Sequence, residues 1–148
     1  MIELAAQPSV TFYVVDDSSP TAQLRVACRI TEKAWKAGHT VLIQHSDQEQ
    51  LAKLDLMLWT GNEHSFIPHE IASGAPNLST IPVILNTGTG PTEAVDVLIN
   101  LTAQLPDRPE LASRIIEIID ADPARRAAGR ERFKAYRGRG FALQKHDL

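Results

Sequence analysis

The chain has 148 residues, 43% hydrophobic and 22% charged, with a formal net charge of −3, the mixture of a soluble globular protein of one domain spanning 1–148. No apolar run nears the roughly 18 residues of a membrane span, and the start MIELAAQPSV lacks the pattern of a signal peptide. The single Cys28 excludes an internal disulfide and any multi-cysteine metal site, so the expectation is a cytoplasmic protein with no membrane partner.

Thr11-Phe12-Tyr13-Val14-Val15 is a short aromatic and β-branched run that predicts a buried strand, stopped by Asp16-Asp17-Ser18-Ser19-Pro20. From Thr21 the apolar positions Val26, Ala27, Ile30, Ala34 and Ala37 recur at helical spacing, and Gly38 ends that helix. Val41-Leu42-Ile43 predicts a second strand. Ser46 or Asp47 then caps a second helix with Leu51, Leu54 and Leu58 inside and Gly61 at its close. Phe66-Ile67 fits a short edge strand, and 72–80, rich in Gly, Ser, Pro and Asn, an exposed loop. Ile81 to Leu85 and Val95 to Leu101 predict two more strands, separated by a Gly88-Thr89-Gly90-Pro91 turn. Residues 109–120 suit a strand or a helix. Asp122-Pro123 starts a last helix, aspartate as cap and proline at its first position, running to about Arg137. Alternating strands and helices imply right-handed crossovers: an α/β domain with a largely parallel twisted sheet and helices on both faces.

Chemistry finds little purchase in this pattern. Asp16-Asp17 sits at a strand end, where magnesium-dependent folds carry acids, but the phosphoacceptor and lysine of such sites are missing; a turn-and-cap role fits better. Gly88-Thr89-Gly90 lacks the features of a phosphate loop. His64 and His69, five apart, would face opposite sides of a strand and could not share a metal. Cys28 falls in an apolar helical pattern and reads as a packed thiol. The sequence predicts no catalytic residue, cofactor or metal.

The charge is more telling. Residues 121–148 hold eight Lys or Arg against Asp122, Glu131 and Asp147, a net +5, which leaves −8 on residues 1–120. At 100° per residue Arg126, Arg130, Phe133, Lys134 and Arg137 share one stripe of the last helix, opposite Ala124, Ala128 and Ala135, which could approach the sheet closely. Two readings stay open: a binding face for a ligand with carboxylates and an apolar terminus, or a Phe133 tucked into the core beneath arginine stems. Direct binding of nucleic acid by the same stripe is the alternative, disfavoured by the acidic body. Trp59, Phe66, Ile67 and Pro68 form a second cluster, either an interface anchor or the capped end of the core.

Four phrases, in order, carry a resemblance: Thr11-Phe12-Tyr13; Ala34-Trp35-Lys36-Ala37-Gly38-His39-Thr40-Val41-Leu42-Ile43; Leu58-Trp59 with Ser65-Phe66-Ile67-Pro68-His69; and Ala128-Gly129-Arg130-Glu131-Arg132-Phe133-Lys134-Ala135-Tyr136-Arg137. From about residue 10 to 142 the chain resembles the chi subunit of bacterial DNA polymerase III holoenzyme, though 72–94 match poorly. The resemblance implies a nucleotide-binding-like Rossmann topology without a phosphate loop, and a non-enzymatic adaptor of the clamp loader in DNA replication. It implies two partners, the psi subunit and the acidic C-terminal tail of single-stranded-DNA-binding protein, with DNA contacted only indirectly. Carried over by position, the tail-binding residues are Ile119, Arg126, Arg130, Phe133, Lys134, Arg137 and Gly140, and the psi-facing ones Trp59, Phe66 and Pro68. The family often has tyrosine where this chain has Phe133, so a hydroxyl contact there is lost.

Overall fold

In the computed structural model residues 8–60, 67–72, 81–88 and 90–148 are described. Gly61, His64, Phe66, the loop residues 73–80 and Thr89 of the glycine turn lie outside them. The elements run β1 (Ser9–Val14), α1 (Ala22–Lys36), β2 (Val41–Gln44), α2 (Gln48–Thr60), β3 (His69–Ala72), β4 (Val83–Asn86), β5 (Val95–Asn100), a 3₁₀ turn (Pro109–Leu111), β6 (Ala112–Ile119), α3 (Pro123–Gly138) and β7 (Ala142–Asp147). The sheet order is β3-β4-β2-β5-β6-β1-β7, and every neighbouring pair is parallel.

Side-chain alternation divides the core. Val41, Ile43, Val83, Leu85, Val97, Ile99, Ile116 and Ile118 meet Leu24, Val26 and Ala27 of α1 and Leu51, Leu54 and Leu58 of α2. Their neighbours Val10, Phe12, Leu42, Ile84, Leu98, Ile115 and Ile119 face the other way, toward Tyr136 of α3. Both faces are covered, so the strands read as unbroken apolar runs rather than alternating ones.

Local chemistry sets the helix ends. Asp47 accepts from the Glu49 N–H at 2.9 Å and caps α2; Asp122 accepts from the Arg125 N–H at 2.9 Å and caps α3. Gly38 at φ +85° turns the chain out of α1 into β2, a conformation that a Cβ would strain. Asp17 accepts from the Ser19 N–H at 2.8 Å and pairs with Arg25 at 2.8 Å, the turn role expected of it, but the expected cap is not made: α1 starts after Thr21 with no side-chain cap bond.

One expectation is corrected, one open reading is resolved and one element is new. The edge strand is His69–Ala72 and does not include Ile67, which, 4% exposed, plugs the core beside α2; pairing begins only after Pro68, which has no N–H to give. Residues 112–119 are strand, the reading that their β-branched run favours over a helix. The third concerns the tail of the chain: Ala142–Asp147, with no expectation attached, pairs with β1 as an edge strand.

Candidate functional site

The helix α3 does not rest on the sheet through its alanines. Ala124 is exposed and Ala128 and Ala135 are half-buried, whereas Gly129, Arg132 and Tyr136 are buried and Phe133 is partly so. The side chains that β6 and β1 present explain this roll. Glu117, 0% exposed on β6, accepts from Arg132 Nε at 3.0 Å, the Tyr136 hydroxyl at 2.8 Å and Asn100 Nδ2 at 2.9 Å. Phe12 of β1 meets the Phe133 ring edge-on at 5.2 Å and the Tyr136 ring at 6.0 Å. Two aromatic rings and a buried acid that needs donors outweigh three methyl groups. Burial pushes the Glu117 carboxyl up, against the pull of Arg132 and the other donors. Burial and Glu117 together push the Tyr136 hydroxyl up too, so it stays a donor.

The basic residues of this region divide into engaged and available. Arg125 grips Asp120 with two bonds, at 2.8 and 2.6 Å. Arg132 is held by Glu117 and donates to the Ala103 carbonyl at 3.0 Å. Arg126 donates to the Asp120 carbonyl at 3.0 Å and passes 3.6 Å from the exposed Asp16 carboxylate. Arg137 lies over the Phe133 ring, 5.0 Å from its centre, and Lys134 sits 3.5 Å from Glu131. Arg130 is exposed and has no ion-pair partner among the described residues.

Between α3 and the sheet opens a pocket of about 330 Å³. Phe12, Val14 and Ile119 make its floor, Gly129 and Phe133 its helical wall, and Arg126, Arg130 and Lys145 its rim. Gly129 keeps it open: a Cβ there would lie 2.6 Å from Ile119 Cδ1. Four of the residues expected from sequence, Ile119, Arg126, Arg130 and Phe133, therefore converge on one cavity. Lys134, Arg137 and Gly140 do not line it. Lys134 extends into solvent one turn beyond Arg130, Arg137 braces Phe133 from outside, and Gly140, at φ +82°, swings the chain from α3 into β7. Sequence reasoning missed Phe12, Val14, Gly129 and Lys145. Strand alternation could have put Phe12 and Val14 on one face, but nothing local signalled that β7 returns beside them.

At the opposite sheet edge, Trp59 ends α2 with 47% of its surface exposed, its ring 4.6 Å from that of His69. His69 Nδ1 lies 2.7 Å from the Ile67 carbonyl, a contact that orients the imidazole beside the indole, and Nε2 lies 3.0 Å from Asp55 Oδ1. Pro68 is half-buried alongside. Leu56, 61% exposed one turn before Trp59, and Ile71, 44% exposed on β3, extend this apolar surface.

A known family shares this sequence pattern. The family described as DNA polymerase III chi subunit, HolC, matches residues 8–144. The chain belongs to that family. Its relatives include the DNA polymerase III subunit chi of Pseudomonas aeruginosa, 40% identical over 94% of this chain and 96% of that protein. The Haemophilus influenzae and Escherichia coli subunits are 28% and 29% identical, over 93% and 91% of this chain and 95% of each relative. Among solved structures, a chain in the S. cerevisiae complex of Dbp5 with Nup159, Gle1, IP6 and ADP superimposes with a TM-score of 0.66 at 11% identity. That match covers 97% of this chain and 42% of the other, and it shows a shared α/β fold alone. Membership in the chi family gives this protein an accessory role in DNA replication, as a polymerase III subunit.

Proposed function

We propose that this chi-family protein is a non-catalytic adaptor of the clamp loader, acting in the cytoplasm, that reads the acidic C-terminal tail of single-stranded-DNA-binding protein in the α3 pocket. The observation that carries the reading is the pocket itself: an apolar floor of Phe12, Val14 and Ile119 under a rim of Arg126, Arg130 and Lys145. Such a tail ends in an apolar ring with a free carboxylate beside it. The phenyl group enters between Phe133 and Ile119, and a rim arginine takes the terminal carboxylate through paired N–H donors. Lys134 and the outer arginines draw in the preceding acids. So small a contact is weak to moderate and salt-sensitive, and many tails on one coated strand raise its effective strength. DNA is reached only through that protein, since the −8 on residues 1–120 would repel phosphates beyond the one basic helix.

The exposed Trp59, with Pro68, Leu56 and Ile71, is the surface we assign to the psi subunit; an aromatic anchor in an apolar patch is the usual centre of a protein interface. Phe66, expected there too, lies outside the described residues.

The test is fluorescence anisotropy with a labelled acidic peptide ending in Asp-Phe-Pro-Phe and a second peptide lacking the final Phe. Saturable binding of the first alone supports the tail reading. No binding, or equal binding of both, refutes it.

A further inference from the structure

Among the described residues the sheet ends at β7, which pairs with β1 on one side and with no strand on the other. The Leu148 N–H donates to the Val14 carbonyl at 2.8 Å. Along a strand the backbone groups alternate sides, so the even-numbered residues 142, 144 and 146 also bond to β1. Leu143, Lys145 and Asp147 therefore point their N–H and C=O groups outward. The same alternation turns their side chains toward α3: Leu143 packs against the core on that face, and Lys145 reaches the pocket rim. The edge has none of the usual guards of backbone shape. Its six paired residues include no proline, and the register with β1 is unbroken.

We propose that β7 is a docking edge: an acidic peptide seated by its apolar end in the α3 pocket continues as an added eighth strand along Leu143–Asp147. The inference rests on the tail-binding reading above and extends it from an end-group pocket to a line of main-chain bonds. Continuity supports it, because Lys145 belongs to the pocket rim and the open edge at once. Charge supports it as well, since the peptide would leave the pocket between Arg130 and Lys145. Main-chain bonds of this kind supply affinity without demanding a sequence, while alternate side chains of the peptide face the cationic rim.

Two measurements test it on the full chain. The first is residue-resolved amide exchange with and without saturating acidic peptide ending in Asp-Phe-Pro-Phe. Exchange should slow at least about tenfold at Leu143, Lys145 and Asp147 and change little at 142, 144 and 146, which are already bonded. The second compares Lys145→Pro with Lys145→Ala. Both lose the charge, but only proline removes the outward N–H, and the bonds to β1 do not use that group. Lys145→Pro should bind about fivefold more weakly than Lys145→Ala. A peptide that binds without protecting those three amides, or equal affinities of the two variants, overturns strand addition and leaves the pocket reading standing. A peptide that fails to bind overturns both.

Discussion

Arg132 Nε lies 3.0 Å from Glu117 Oε1, and the two side chains are 7% and 0% exposed. Asn100 and Tyr136 complete the acid's partners, so one buried carboxylate ties β5, β6 and α3 together. It thereby sets the roll of α3, which decides which basic side chains reach the rim. Arg132→Met strands the acid without its cation and should cost about 3–5 kcal/mol. Arg130→Ala, at an exposed position on the same helix, should stay within about 0.5 kcal/mol. Urea denaturation separates the two, and titration with the acidic peptide should rank them oppositely per unit of stability lost: Arg130→Ala, fully folded, should bind markedly more weakly.

Gly129 is the point where helix stability and pocket shape conflict. Replacing a mid-helix glycine with alanine gains about 1 kcal/mol of helix propensity. The new methyl would meet Ile119 Cδ1 at 2.6 Å, but that atom is the free end of a side chain and can rotate away. Gly129→Ala should therefore leave stability within about 1 kcal/mol of the parent. Ile119 can yield only by disturbing the pocket floor, so peptide binding should weaken. Thermal unfolding alongside anisotropy checks both halves; unchanged binding would mean that the floor takes no part.

How much of this was legible beforehand depended on whether the signal was local. The cap Asp122-Pro123, the stop at Gly38 and the apolar spacing of Leu51, Leu54 and Leu58 are chemistry within one turn of chain, and the structure places each as read. The seating of α3 was misread because its determinant, Glu117, sits 15 residues from Arg132 and belongs to a strand whose type the sequence left open. The edge strand at His69 was displaced because one buried isoleucine, Ile67, looks like strand in isolation and here fills a core gap instead. Lys145 was invisible as a rim residue, since β7 becomes a neighbour of β1 only when α3 folds the chain back.

Cys28 offers a check on α1. Burial, with Glu32 nearby, pushes its thiol up to about 12. At pH 8 only on the order of one thiol in ten thousand would then be ionised, and the thiolate is the reactive form. Alkylation by iodoacetamide should run at least about a hundredfold slower than for free cysteine and reach the free rate in denaturant. Fast labelling of the native protein would mean that α1 does not pack on the sheet as described.

Asp120 makes α3's start sensitive to acid. Its side chain is 1% exposed, and burial pushes the carboxyl up, but the two bonds from Arg125 and the Asp122 N–H at 3.3 Å prevail and hold it below the ordinary carboxylate range. A group whose folded value is depressed stabilises the fold fully above its unfolded value, near pH 3.9, and loses that contribution as pH falls through the folded value. Stability should thus fall in this acid window, and Asp120→Asn, which cannot titrate, should be weaker at pH 7 but flatter between about pH 5 and 2. The Asp120 carbonyl also anchors Arg126 at the pocket rim, so acid that loosens this turn should release the peptide before the sheet unfolds. Unfolding curves taken at a series of pH values, for both proteins, give the slope directly; parallel slopes would show that the Arg125–Asp120 pair contributes nothing to the acid transition.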